Sequence, residues 1–273
     1  MSSAKAHAKI NLGLVVGPLR AGGKHEVATA LVCVDLHDTL ELEQRHAQRI
    51  VVEGFEDTIV RRALEELGRG AGEHHGWHVT IDKRIPVAGG LGGGSSDAGA
   101  ALRLANDLLA EPLPRRRLHE LAAAIGSDVP FFLEDGPRLA TGTGTELRPI
   151  SLPLDVWIVL VLPAGVTKTS TAAVYGAYGE SAQDSTFDER RAVLVRALED
   201  ARSPADLAAL PRNDLASSPL ADELVDLGAL HADVTGAGPT VYGLFDDRAQ
   251  ADRAAQAFEG RGRRWVVRPV GGS

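Results

Sequence analysis

Cysteine, positive charge and long apolar runs are all scarce in this 273-residue chain. The single cysteine, Cys33, excludes an internal disulfide and suits a reducing compartment. It lies in the apolar run 30–34, where a small core hydrophobe is expected rather than a nucleophile. The longest strongly apolar run, 156–162, is too short to cross a bilayer. The opening residues, Met1-Ser2-Ser3-Ala4-Lys5, lack the apolar stretch of a signal peptide. A cytoplasmic protein with no membrane partner is therefore expected. Lysine and arginine number 29 against 37 acidic residues, a net charge of -8, which argues against nucleic acid as a partner. Phosphorylated small molecules need only local positive charge and stay admissible. There is no internal repeat or low-complexity block. His74-His75 has no metal-ligand partner at a useful spacing and reads as part of an exposed turn over 68–76. The length fits one large or two smaller domains and suffices for an unstapled core.

Glycine, by contrast, is concentrated. Residues 86–98 read Pro-Val-Ala-Gly-Gly-Leu-Gly-Gly-Gly-Ser-Ser-Asp-Ala, with five glycines in the six positions 89–94. An apolar alternation (Trp77, Val79, Ile81) leads in. A helical pattern (Ala98, Ala101, Leu102, Ala105, Leu108, Leu109) leads out. Ser95, Ser96 and Asp97 are good helix openers. Glycines feeding a helix N-terminus expose backbone N–H groups, and the helix dipole favours an anion there. The stretch predicts a phosphate-binding loop. It is not a Walker A loop, because no lysine lies between Lys83 and Ser96. The dinucleotide fingerprint fails too: counted from Gly90, the sixth residue is Ser95.

Elsewhere, 6–16 alternates as a strand that puts Lys9 and Asn11 together on the face opposite Ala8, Ile10 and Leu12. Taken alone, that face is a solvated edge. The segment 27–42 reads as two strands joined near 35–38. A helix from Asp57 buries Ile59, Val60, Ala63, Leu64 and Leu67. The run Arg115-Arg116-Arg117 ahead of a helix (Leu118, Leu121, Ala122, Ile125) reads as solvated charge. In Gly126-Ser127-Asp128-Val129-Pro130, an acidic residue stands between a helix-ending glycine and a proline, a common place for a cap or turn residue. A hairpin is expected over 136–147, a buried strand at 156–162, helices at 189–201 and 219–230, and a strand–helix–strand ending from Val241.

The 86–98 motif resembles the central block of the GHMP kinases, and its triple glycine resembles the branch acting on a cytidine diphosphate-linked sugar alcohol. Two further blocks agree in order and spacing, Ile125-Gly126-Ser127-Asp128-Val129-Pro130-Phe131-Phe132 and Val234-Thr235-Gly236-Ala237-Gly238, and Ala8-Lys9-Ile10-Asn11-Leu12 resembles the family's first signature block. The resemblance implies an α+β, two-domain fold, with an N-terminal ribosomal protein S5-like domain (1–151), a C-terminal ferredoxin-like domain (152–273) and the active site in the cleft between them. It implies ATP and Mg2+ as cofactors and a small-molecule alcohol as partner, in a monomer or homodimer. ATP would be held by Pro86, Gly89, Gly90, Leu91, Gly92, Gly93, Gly94, Ser95 and Ser96, with Ser96 also a direct or water-mediated contact to Mg2+. Asp128 would be the base that takes the hydroxyl proton, and Lys9 would orient it and offset developing charge. Asn11, Lys24, His25, Tyr175 and Gly236 would bind the substrate.

Three departures stand out. Lys24 replaces the aromatic that usually precedes His25 and stacks on cytosine; its stem would cover the base or its charge would reach the diphosphate. Tyr175 is placed to supply the missing ring. Thr58 stands where the adenosine pocket has asparagine, and Ala216 follows Asn213-Asp214-Leu215 where glutamate is usual. The competing readings are a GHMP kinase for another alcohol (homoserine or mevalonate type), a nucleotide-binding module without catalysis, and an interaction protein. The last leaves the glycine loop without a purpose.

Overall fold

The structure, a computed structural model, describes residues 1–46, 48–55, 58–73, 75–166, 171–178 and 186–271. The chain divides into two compact units: 1–8, 36–87 and 92–135 form the first, and 9–35, 88–91 and 136–273 the second. Residues 9–35 and 136–151 of the expected N-terminal domain thus pack within the second unit. Two long strands, β1 (Ser2–Leu19) and β2 (His25–Arg45), pair with each other and contribute residues to both units.

In the first unit, residues 39–45 of β2 pair antiparallel with β4 (Gly76–Asp82), and β3 (Ile50–Glu53) pairs parallel with β4. Between β3 and β4 runs α1 (Thr58–Ala71). The register places Leu40 opposite Ile81 and Leu42 opposite Val79, so cross-strand apolar pairs line one sheet face. That face packs on Val60, Ala63, Leu64 and Leu67 of α1, which recur at helical spacing and are buried. Ile59, expected on the same stripe, is exposed. Next come α2 (Gly93–Asn106) and α3 (Arg115–Ile125). The small residues of α2 let neighbours come close: a Cβ on Gly99 would lie 2.7 Å from Phe132 Cβ, in the 3₁₀ turn Val129–Leu133.

β2 is one continuous strand, not the two expected. Asp38, read as a joint, is fully buried inside it, because its carboxylate accepts the backbone N–H groups of Arg84 and Ile85. A turn-forming residue stays in a strand when a distant segment satisfies it. The helix α1 also runs further than expected, to Ala71, leaving a shorter turn. Asp57, His74, 167–170, Gly272 and Ser273 lie outside the described residues, as does the Thr58 side chain.

In the second unit, β5 (Arg138–Thr141) and β6 (Glu146–Pro149) form the expected hairpin, and β5 pairs with residues 29–31 of β2. After β7 (Trp157–Pro163) come α4 (Thr171–Tyr178), α5 (Phe187–Asp200), α6 (Pro219–Asp226), β8 (His231–Val234), β9 (Val241–Phe245), α7 (Arg248–Ala257), β10 (Gly262–Val267) and β11 (Pro269–Val270). The antiparallel order β10-β7-β9-β8 is the split βαβ arrangement of ferredoxin-like folds. Helices α6 and α7 cover one face through Leu224, Ala251, Ala254 and Ala255, packed on Val159, Val161 and Phe245. Cys33 is half-buried where β11 pairs with β2. Among the described residues, no helix is long and apolar enough to cross a membrane.

Candidate active site

The glycine loop ends in a helix that starts earlier than expected. Gly92 caps α2 in the left-handed region (φ 70°), no side chain caps it, and the helix begins at Gly93. Ser95, Ser96 and Asp97 therefore lie inside the first turns rather than ahead of them. The first intrahelical bond runs from Ser96 N–H to the Gly92 carbonyl at 2.8 Å. The Ser96 amide is thus engaged within the helix. The N–H groups of Gly93, Gly94 and Ser95 have no intrahelical partner, and they form the positive end of the helix dipole. Leu91 is buried, and its carbonyl accepts Lys9 N–H at 2.9 Å.

An ion triad backs the start of this helix. Lys83 Nζ lies 2.8 Å from Asp38 Oδ2 and 2.5 Å from Asp97 Oδ2, and both carboxylates are fully buried. Burial alone would lower the Lys83 pKa, but the charge of Asp97, with hydrogen bonds to both carboxylates, more than offsets it, and the pKa is raised. Asp38 Oδ1 also holds Arg84 N at 2.6 Å and Ile85 N at 2.8 Å. The triad therefore ties both shoulders of the loop, 84–85 and 97, to one cation. A side chain at Gly93 would meet Ile85 Cγ2 at 2.9 Å and Lys83 Nζ at 3.2 Å, so a Cβ there would force Ile85 to shift.

Asp128 opens the 3₁₀ turn 129–133 in the same unit and is half-exposed. Val129, Pro130, Phe131 and Phe132 are buried, which fixes the turn under its carboxylate. Pro130 sits in the first turn, where a missing N–H costs nothing.

In the second unit the structure brings Lys9, Asn11, Gly90 and Gly236 together. Lys9 and Asn11 are 4% and 6% exposed, so the face read as a solvated edge is covered. Lys9 Nζ donates to Asn11 Oδ1 at 2.6 Å, and Asn11 Nδ2 donates to Thr29 Oγ1 at 3.0 Å. Asn11 N donates to Thr235 Oγ1 at 3.1 Å. A Cβ on Gly236 (φ 57°) would stand 3.2 Å from Asn11 Oδ1 and 3.3 Å from Lys9 Nζ. Asn213 holds this loop, donating to the carbonyls of Val234 at 2.9 Å and Gly236 at 2.7 Å.

Thr29 and Lys83 were not singled out by sequence reasoning, whereas Thr235 and Asn213 carried signals only as members of the Val234–Gly238 block and the Asn-Asp-Leu element.

His25 stacks on Tyr175, with ring centroids 5.9 Å apart at 28°, and meets Tyr178 edge-on. Its Nδ1 lies 2.8 Å from the Gly17 carbonyl, which only accepts, so Nδ1 carries the proton. Both tyrosines also pack on Leu14, Val16 and Val27. Lys24 is exposed at the β1–β2 turn, where its carbonyl accepts Arg20 N. Arg115, Arg116 and Arg117 pair with Glu134 and Glu120, as solvated charge should.

The GHMP kinases N terminal domain family matches residues 58–136 and the GHMP kinases C terminal family matches 190–264. A 4-diphosphocytidyl-2-C-methyl-D-erythritol kinase of Gloeobacter violaceus is 36% identical, over 94% of this chain and 89% of its own. The same kinase of Geobacter sulfurreducens is 37% identical, over 97% of each chain. A crystal structure of 4-(cytidine 5'-diphospho)-2C-methyl-D-erythritol kinase superposes with a TM-score of 0.78 at 29% identity, covering 99% of this chain and 100% of that one. A mevalonate kinase superposes with a TM-score of 0.76 over 99% of both chains, at 14% identity, and shares the fold alone. The chain belongs to the 4-diphosphocytidyl-2-C-methyl-D-erythritol kinase family of the GHMP kinases.

Proposed function

We propose that this chain transfers the γ-phosphoryl group of ATP to the 2-hydroxyl of 4-diphosphocytidyl-2-C-methyl-D-erythritol. The observation that carries the transfer is the uncapped N-terminus of α2, where three backbone amides point at no protein acceptor in the helix. Such a site takes phosphate oxygens. The hydroxyl oxygen attacks the γ-phosphorus, the bond to the ADP oxygen breaks, and the hydroxyl proton passes to Asp128. Lys9 offsets the developing charge, and Asn11 holds its ammonium. Gly236 offers a surface without a side chain beside both.

The chemistry of His25 suits cytosine. With its proton on Nδ1, a neutral imidazole presents Nε2 as an acceptor, which matches the exocyclic amino donor of that base. Tyr175, stacked beside it, supports the expectation that this ring stands in for the aromatic missing at Lys24. Lys24, exposed and cationic, fits the diphosphate better than the base.

Among the described residues there is no cluster of three carboxylate, histidine or cysteine groups that would hold a metal by itself. The hydroxyl of Ser96 beside a phosphate site suits Mg2+ that arrives with the nucleotide and keeps its waters. Bound there, the ion would neutralise phosphate charge. The same reading places the protein in the cytoplasm as a monomer or homodimer, with a domain division at 151/152 between the two matched families. A kinase for homoserine or mevalonate is the weaker reading, since the kinases of those alcohols resemble this chain only in fold.

The product tests the assignment. Carbon 2 of the erythritol is tertiary, so its phosphomonoester gives an uncoupled 31P singlet. A proton-coupled multiplet would place the phosphoryl group on another hydroxyl and overturn the reading.

A further inference from the structure

We propose that Thr29 is a positioning residue for Lys9, acting through the side-chain amide of Asn11; this rests on the reading that Lys9 serves the phosphoryl transfer. Donor direction fixes the arrangement. Thr29 Oγ1 lies 2.6 Å from the Gly13 carbonyl, which can only accept, so the single hydroxyl proton goes there. Oγ1 then has only lone pairs left. The Asn11 atom facing it at 3.0 Å must be the NH2 group. At the other end, the Lys9 ammonium has only donors, so the Asn11 atom 2.6 Å from it must be Oδ1. Both ends demand the same orientation, which removes the usual ambiguity of an amide. Thr235 adds a third constraint: its hydroxyl accepts Asn11 N at 3.1 Å and gives its proton to Oδ1 at 3.3 Å.

Lys9, Asn11, Thr29 and Thr235 are between 0% and 6% exposed, so water has little room to replace a lost partner. Without the Thr29 hydroxyl, the amide would lose the acceptor that holds its NH2 away from Lys9. A flipped amide turns that NH2 on the ammonium, a donor against a donor. Thr29 therefore sets where the Lys9 charge points without touching the reacting atoms. A threonine within a buried strand is usually read as a β-former, which hides this role.

The test uses the full chain and four variants: Thr29→Val, which keeps the shape and removes the hydroxyl, Thr29→Ser, Lys9→Met, and the double variant Thr29→Val/Lys9→Met. ADP release gives kcat and both KM values, calorimetry gives ATP affinity, and thermal melting controls for folding. Thr29→Val should lower kcat about tenfold with the KM for ATP changed less than about twofold. Thr29→Ser should recover most of that loss. The double variant should be no slower than Lys9→Met, because Thr29 acts only through that lysine. Near-native kcat in Thr29→Val, or additive losses in the double variant, would overturn the proposal while leaving Lys9 in its role. Near-native kcat in Lys9→Met would instead overturn the reading of Lys9 itself. Should Thr29→Val fail to fold, Thr29→Cys carries the test: its weaker donor should cost kcat at an unchanged melting temperature, and a native kcat overturns the proposal.

Discussion

Replacing Gly90 with alanine tests the close packing of the glycine loop. Gly90 holds a φ of 83°, where an L side chain is strained by about 1–2 kcal/mol. Its added Cβ would also stand 2.7 Å from the Thr235 carbonyl oxygen and 2.8 Å from that of Gly238, closer than carbon and oxygen tolerate. Backbone does not yield as a side chain does, so the contact adds about 1–3 kcal/mol. The total is about 3 kcal/mol, which for a chain of this size lowers the melting temperature by roughly 6–10 °C. Gly23 supplies the control. It has nearly the same φ, 73°, but a Cβ added there would meet nothing within 4 Å, so Gly23→Ala isolates the dihedral cost at about 1 kcal/mol. Gly90→Ala should also raise the KM for ATP, since the displaced loop leads directly into the α2 amides. Melting curves and ADP-release kinetics on both variants decide it. Equal melting temperatures with an unchanged KM for ATP would refute the claim that loop packing requires glycine at 90.

Three further outcomes follow from the same structure. Asp128→Asn should lower kcat by about 100-fold or more while calorimetric ATP affinity stays near native, and native turnover would remove Asp128 from the mechanism. Lys83→Met leaves Asp38 and Asp97 buried without their cation, which should cost about 3–5 kcal/mol in urea unfolding; a loss below about 1 kcal/mol would contradict the clamp. In the second unit, burial lowers the pKa of His231 from 6.5 to about 4 and raises that of Asp233 from 3.8 to about 6. The unfolded histidine binds the extra proton between pH 4 and 6.5, so its share of stability is lost as pH falls. The folded aspartic acid holds the extra proton between pH 3.8 and 6, so its share is lost as pH rises. Each amounts to about 3 kcal/mol and they oppose. Asp233→Asn should therefore lose stability on acidification through that window relative to wild type, and His231→Gln should gain it; slopes of the same sign in both would contradict this.

Much of this fold was legible because its signals are local. The apolar stripe Val60, Ala63, Leu64 and Leu67 announces α1 without any partner, and alternation announces β4. The ferredoxin-like sheet followed from the resemblance, although β8, with only four residues, gave no period of its own. What stayed hidden depends on partners remote in sequence. Asp38 looks like a turn until the amides of Arg84 and Ile85 reach it. Asn11 looks like part of a wet strand face until Thr235, 224 positions away, bonds to it. The start of α2 was misplaced because Ser95, Ser96 and Asp97 are cap-forming types, whereas a left-handed Gly92, with no side chain to cap the helix, occupies the N-cap position. Lys83, an ordinary charge at a strand end, gives no hint that two buried carboxylates converge on it.

The most direct measurement is ADP release with MgATP and three alcohols in parallel: 4-diphosphocytidyl-2-C-methyl-D-erythritol, homoserine and mevalonate. Turnover with the cytidyl compound alone is the predicted result, and it would make Lys24 a variation in how the base and diphosphate are held. Turnover with homoserine or mevalonate and none with the cytidyl compound would contradict the assignment, keep the fold and the phosphate loop, and mark Lys24 as the sign of a different acceptor.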